Sequence, residues 1–125
     1  MGDRGHVYVH DGDRPGVYLY AHSAGSELPE LVADGLEVGQ GRWSDMPYLT
    51  RIIFDEVIKG GGGVSNLLGF GIDTRENDIG DGHRVVDVDT AEQAVTLWRH
   101  DQATWTGLFE RFVSVRPGWD ELVSH

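Results

Sequence analysis

Two short stretches near the start of the chain alternate strictly between aliphatic and aromatic or polar residues. From His6 to His10, Val7 and Val9 fall on one side and His6, Tyr8 and His10 on the other. From Val17 to His22, Val17, Leu19 and Ala21 alternate with Tyr18, Tyr20 and His22. A period of two is the signature of a strand. The intervening Asp11 to Gly16 (DGDRPG) is built of turn residues, so the two strands are expected to close as a hairpin. Such a pair has one aliphatic face for a core and a second face carrying three His and three Tyr.

The period then changes. Leu28, Leu31, Val32 and Leu36 make one apolar stripe on a helix that begins at about Ser26 and ends near Gly39. Met46, Leu49, Ile53, Phe54, Val57 and Ile58 make a broader apolar face on a second helix, whose body runs from Tyr48 to Lys59. Arg51, Asp55 and Lys59 share its polar stripe, and Glu56 sits between Leu49 and Ile52 on the helical wheel. Both helices open with Ser, an acid, an apolar residue and Pro. Ser26 and Ser44 are therefore the expected N-caps, with Pro29 and Pro47 in first turns where a missing N–H costs nothing. Gly60 to Gly63 stop the second helix.

Strand patterns return in the second half. In Leu67 to Thr74, Leu68, Phe70 and Ile72 oppose Gly69, Gly71 and Asp73. After a polar loop from 75 to 82, Arg84 to Asp89 and Ala94 to Arg99 read as a hairpin across Thr90 to Gln93. Val86 and Val88 face inward there, with Val85, Asp87 and Asp89 opposite. Leu108, Phe109, Phe112 and Val113 have helical spacing before Pro117-Gly118 breaks the chain, and two outcomes are open for the end: a tail mobile from about residue 115, or a Trp119 to Val123 segment that packs as one turn. The order is ββααβββ plus a short helical tail. It predicts a single α+β domain over residues 1–125, an antiparallel sheet of about five strands with two helices packed on one face.

Composition narrows the function classes. With 125 residues, 39% of them hydrophobic, the chain can bury one core. It has no apolar run long enough to span a membrane, and MGDRGHVYVH lacks the apolar segment of a signal peptide. The expectation is a cytoplasmic protein, in the host cytoplasm if the protein is viral. No cysteine is present, which excludes disulfides and thiolate metal sites. The formal net charge is −11, carried by abundant Asp, and Lys59 is the sole lysine, a balance suited to high salt. Its field repels polyanions, so general nucleic-acid or anionic-membrane binding is not expected.

Two clusters could carry chemistry. The sheet face opposite the helices would display His6, Tyr8, His10, Tyr18, Tyr20, His22, Asp73, Asp87, Asp89 and Trp98, with Gly69 and Gly71 leaving room between them. Tyr18, Tyr20 and His22 suit a planar polar ligand. His6, His10, His22, Asp87 and Asp89 are the alternative, a metal site of a metal-dependent hydrolase. An amphipathic sheet buried in a homo-oligomer explains the same face without a ligand. The second cluster, Arg42, Trp43, Tyr48 and Arg51 at the entrance of the second helix, could hold an anion and stack a base. Its structural reading is an Arg51–Asp55 pair and a Trp43 that staples the helix start. Glycine motifs for phosphate loops are missing, as are G-x-S-x-G and HExxH, so no catalytic residue and no cofactor is assigned.

Met1-Gly2-Asp3-Arg4, YLYAH at 18–22 with Gly25, LPE at 28–30, RWSD at 42–45, YLTRIIF at 48–54, GFGI at 69–72 and VDVD at 86–89 together resemble a group of small proteins of tailed phages, bacteria and haloarchaea. The resemblance spans about residues 1–98, with Gly5 and Ser23 where that group carries Ala and Trp. It implies a viral accessory protein. Together the readings point to a small non-enzymatic binding protein, acting as a homo-oligomer, that sequesters a nucleotide-like ligand or binds a host protein partner. A structural virion or assembly component is a further alternative.

Overall fold

The alternating aliphatic residues pair into a six-stranded mixed sheet that carries the helices on one face. The computed structural model describes residues 3–60, 69–75 and 84–119. Strands β1 (Gly5–Asp11) and β2 (Arg14–Ala21) form the expected hairpin, closed by Gly12 and Asp13. Helices α1 (Leu28–Val38) and α2 (Met46–Gly60) come next. The chain continues through β3 (Phe70–Asp73), β4 (Val85–Asp89), β5 (Ala94–Arg99), β6 (Gln102–Leu108) and α3 (Phe109–Val115). Across the sheet the order is β3-β2-β1-β4-β5-β6. Only β1 and β4 are parallel, from His6 opposite Val85 to His10 opposite Asp89.

The α+β class holds, and the sheet departs from expectation in two places. The sheet is mixed because β4 enters beside β1 after crossing from the β3 edge, instead of folding back on β3 as a hairpin would. The sixth strand is β6, which sequence reading left unassigned. It folds back on β5 through His100 and Asp101, both left-handed at φ 51° and 66°. That geometry matches the right-handed twist of a two-residue hairpin, although neither residue is the usual Gly. Thr96 faces Thr106 and Leu97 faces Trp105 across the pair.

Val7, Val9, Leu19, Ala21, Val86, Val88, Val95 and Leu97 line the helix side of the sheet and are fully buried. Leu28, Val32 and Leu36 of α1, Leu49, Ile53 and Val57 of α2, and Phe109 and Phe112 of α3 complete the core. The two long helices nest closely at Gly35, where an added Cβ would stand 2.8 Å from the Ile53 Cα. The stripe of Arg51, Asp55 and Lys59 faces solvent, and Glu56 pairs with Lys59 at 3.2 Å. Among the described residues no helix is long and apolar enough to cross a membrane.

Neither serine caps its helix. The Asp45 carbonyl accepts the Leu49 N–H at 2.9 Å, and its carboxylate lies 3.5 Å from the Tyr48 nitrogen, so Asp45 takes the cap position. Ser26 is drawn to Asp3 instead, donating both its N–H (2.9 Å) and its hydroxyl (2.5 Å) to that carboxylate. Asp3 also receives Arg84 at 2.6 Å, which ties the start of the chain to β4. These bonds, led by the Ser26 and Arg84 side chains, outweigh burial and hold the Asp3 carboxyl below its usual range.

The chain stays anchored past residue 115. Arg116 adopts a left-handed conformation (φ 52°) and reaches Glu30, Asp34 and Glu37 of α1 at 2.7, 2.8 and 2.9 Å. Trp119 is buried, with its indole N–H on the Gly25 carbonyl at 2.8 Å. The glycines at 61–63, Leu67 and Leu68, most of the 75–82 loop and the end of the tail lie outside the described residues.

Candidate functional site

Because side chains alternate along each strand, the register that buries the valines sends every His and Tyr of β1 and β2 to the other face. His6 stands opposite Tyr20, and Tyr8 opposite Tyr18. Their rings cover one another. His10 stacks on Tyr8 at 4.7 Å and Tyr8 on Tyr18 at 4.2 Å. His6 meets Tyr18 edge-on at 5.6 Å and leans on Tyr20 at 5.7 Å, and Tyr20 neighbours His22 at 6.3 Å. His6 in the middle is fully buried, the three tyrosines are half-buried, and His22 at the end is exposed. Six rings thus pave the face diagonally from the β1–β2 turn to the far end of β2. Contacts of this kind add about 0.5–1.5 kcal/mol per aromatic pair beyond burial.

One end of the pavement is an ionic knot. The two nitrogens of His10 contact the Asp87 carboxylate at 2.5 Å and the Gly12 carbonyl at 2.8 Å. The hydrogen bond to Asp87 raises its pKa to about 9 against the opposing effect of burial, with the Gly12 carbonyl and the charges of Asp87 and Asp89 adding to the rise. His10 is therefore an imidazolium at neutral pH, donating from both nitrogens. Asp89 beside it accepts N–H groups from Gly12 and Ala91, each at 2.9 Å, and so binds the β1–β2 turn to the β4–β5 turn. Thr90, also buried, donates to the Asp11 carboxylate at 2.8 Å.

The other end leaves space. Gly71 of β3 pairs with Tyr20, and an added Cβ there would meet nothing within 4 Å among the described residues. Tyr18 and Asp73 pair on one side of this gap. On the other, the His22 N–H is held by the Gly69 carbonyl at 2.9 Å. The Tyr20 hydroxyl lies 3.3 Å from His22 Nδ1, fixing both groups at the rim. Asp73 accepts the N–H groups of Thr74 and Arg75, so its carboxylate is oriented by its own turn.

The expected ligand residues fall into two separate groups. Tyr18, Tyr20 and His22 stand in register with Asp73, Gly71 and Gly69 of the β3 edge, on the same face as the space over Gly71. Arg42, Trp43, Tyr48 and Arg51 lie with the helices, on the opposite side of the core. There Arg42 covers the Tyr48 ring at 4.3 Å and reaches Asp45 at 3.4 Å. Arg51 pairs with Asp55 at 2.7 Å, as the four-residue spacing suggested. Trp43 packs edge-on against Phe109 at 5.3 Å and donates its indole N–H to the Leu36 carbonyl at 2.9 Å, so it joins three helices.

The metal alternative does not assemble. His6 and His10 are four residues apart on one strand, about 13 Å by strand rise, and His22 lies beyond His6. His10 uses both nitrogens as donors to Asp87 and Gly12, leaving no lone pair for a metal. Among the described residues no group of three His, Cys, Asp or Glu side chains could hold a metal ion.

Sequence reading missed the His10–Asp87 pairing. Alternation placed both residues on this face, and the parallel β1–β4 register that joins them has no local signature. No protein-family model, curated protein or solved structure matches the chain.

Proposed function

We propose that the protein is a non-enzymatic binding module that holds a small, planar, polar ligand over Gly71, stacked against Tyr20. The observation that carries this reading is the gap itself. A ring pavement fixed at one end by the His10–Asp87 pair stops beside a glycine whose Cβ position is open among the described residues. Tyr20 and Tyr18 supply stacking faces, and His22 and the Asp73 carboxylate supply polar edges on either side. A nucleobase fits that chemistry. The carboxylates of Asp73, Asp87 and Asp89 on the same face favour a neutral base over phosphate groups as the part that is held. The resemblance to small phage and haloarchaeal proteins is the reason to read the module as an accessory protein that sequesters its ligand.

A thermal-shift screen of nucleosides, nucleotides and cyclic nucleotides tests the proposal. The expected result is stabilisation by at least one nucleobase compound, abolished by Tyr20→Ala and unchanged by Arg42→Ala or Arg51→Ala. Absence of a shift for every compound removes the small-molecule reading.

A further inference from the structure

We propose a second binding site, for an organic cation with an apolar body, in a cleft of about 360 Å³ at one end of the sheet. One wall is the β4–β5 turn with Glu92 and Gln93, the other is the β6–α3 junction with Leu108, Phe109 and Glu110, and Trp43 contributes from the helix side. The volume falls within the range of small-molecule sites.

The cleft is preformed. The Phe109 N–H donates to the Gln93 carbonyl at 2.7 Å, which clamps the two walls together. Gln93 holds a left-handed conformation at φ 52°, so the turn is shaped to present that carbonyl. The Trp43 indole N–H is already committed to Leu36 at 2.9 Å, and what the ring offers the cleft is therefore apolar and π surface. Leu108 stays 63% exposed at the rim, a large aliphatic side chain that a ligand would cover.

The charge of the ligand follows from the carboxylates. Asp45, Asp55, Glu56, Glu30, Asp34 and Glu37 of the helix layer each pair with an Arg or Lys. Glu92 and Glu110, like Asp13, Glu27, Asp73 and Asp101, have no such partner among the described residues, and it is their shared place on one cleft that sets these two apart. Glu110 alone is explained by its place in the first turn of α3. That leaves Glu92, and it leaves the aromatic and aliphatic lining between the two. An ammonium group beside the carboxylates, with its apolar body on Trp43 and Leu108, satisfies both features and gains a cation–π contribution from the Trp43 ring. Two carboxylates across an apolar floor offer too few oxygens for a hard metal ion. The site is independent of the gap over Gly71.

Two compounds of similar shape and opposite charge decide the matter: phenethylamine and 3-phenylpropionate, each titrated into ¹⁵N-labelled protein and followed by amide and indole NMR signals. Phenethylamine is expected to shift the Trp43 indole signal and the amides of 91–93 and 108–110 saturably, with 3-phenylpropionate at least about tenfold weaker. The double change Glu92→Gln and Glu110→Gln, on exposed or rim positions that leave the fold intact, should weaken phenethylamine by about tenfold. No saturable shift at these residues up to about 10 mM, equal binding of the two compounds, or an unchanged affinity in the double variant would each overturn the proposal.

Discussion

Replacing Asp87 with Asn isolates the ionic knot that holds the ring pavement in place. In the folded protein the Asp87 hydrogen bond carries the His10 pKa from 6.5 to about 9. At about 1.36 kcal/mol per pH unit this sets an upper bound of about 3.4 kcal/mol on the linked stability. The two side chains keep 13% and 26% of their surface in water, and solvent screening brings the realised contribution to about 1–2 kcal/mol. The sign follows from the direction of the shift. A raised folded-state pKa contributes its full stability below about 6.5 and loses it as the pH climbs through about 9. Urea denaturation of the native protein should therefore show about 1–2 kcal/mol less stability at pH 10 than at pH 6. Asp87→Asn should begin lower by that amount and vary little between the two. Comparing the pair removes the background from the acidic chain, which differs by one charge only. Parallel pH profiles for the two proteins, or a His10 imidazole titrating near 6.5 by NMR, would refute the reasoning.

Two further perturbations probe the helix layer. Gly35→Ala should destabilise by about 1–3 kcal/mol despite the better helix propensity of Ala, because its Cβ would press on the Ile53 backbone; a gain in stability on urea denaturation would mean that α1 and α2 are not in close contact. Arg116→Ala should cost about 1–2 kcal/mol through loss of its three carboxylate partners on α1. Arg116→Gly should cost less, since Gly accepts the left-handed backbone freely. Both losses should shrink in high salt, and a salt-independent loss would contradict the ionic account.

Much of the ring face was legible because alternation is a local property. The period of two in β1, β2 and β4 named the buried valines and, with them, every ring and carboxylate on the opposite face. Gly71 could be placed beside that face for the same reason. What was illegible depended on partners distant in sequence. The parallel neighbour of β1 lies some eighty residues away, so the His10–Asp87 contact could not be inferred from either segment. β6 was hidden by a His100-Asp101 turn that lacks Gly, and by Leu108 and Phe109, whose spacing with Phe112 reads as helix although the first of them ends a strand. Ser26 and Ser44 carried cap chemistry that other groups displaced. Asp3 captured the first, and Asp45 stands one residue closer to the helix than the second. The Arg42 to Arg51 cluster was a real contiguity in sequence, but the core separates it from the ring face.

The central claim is that the gap over Gly71 receives a planar ligand. Gly71→Phe tests it most directly, because the position is not left-handed and its Cβ direction is open, so the new ring fills the gap with little strain. Native protein and variant are titrated with nucleosides while the ring signals of Tyr18 and Tyr20 and the amide of residue 71 are followed by NMR. The account predicts saturable shifts of these signals in the native protein and none in a folded Gly71→Phe variant. Equal shifts in both, or shifts confined to residues away from Tyr18, Tyr20 and His22, would contradict it.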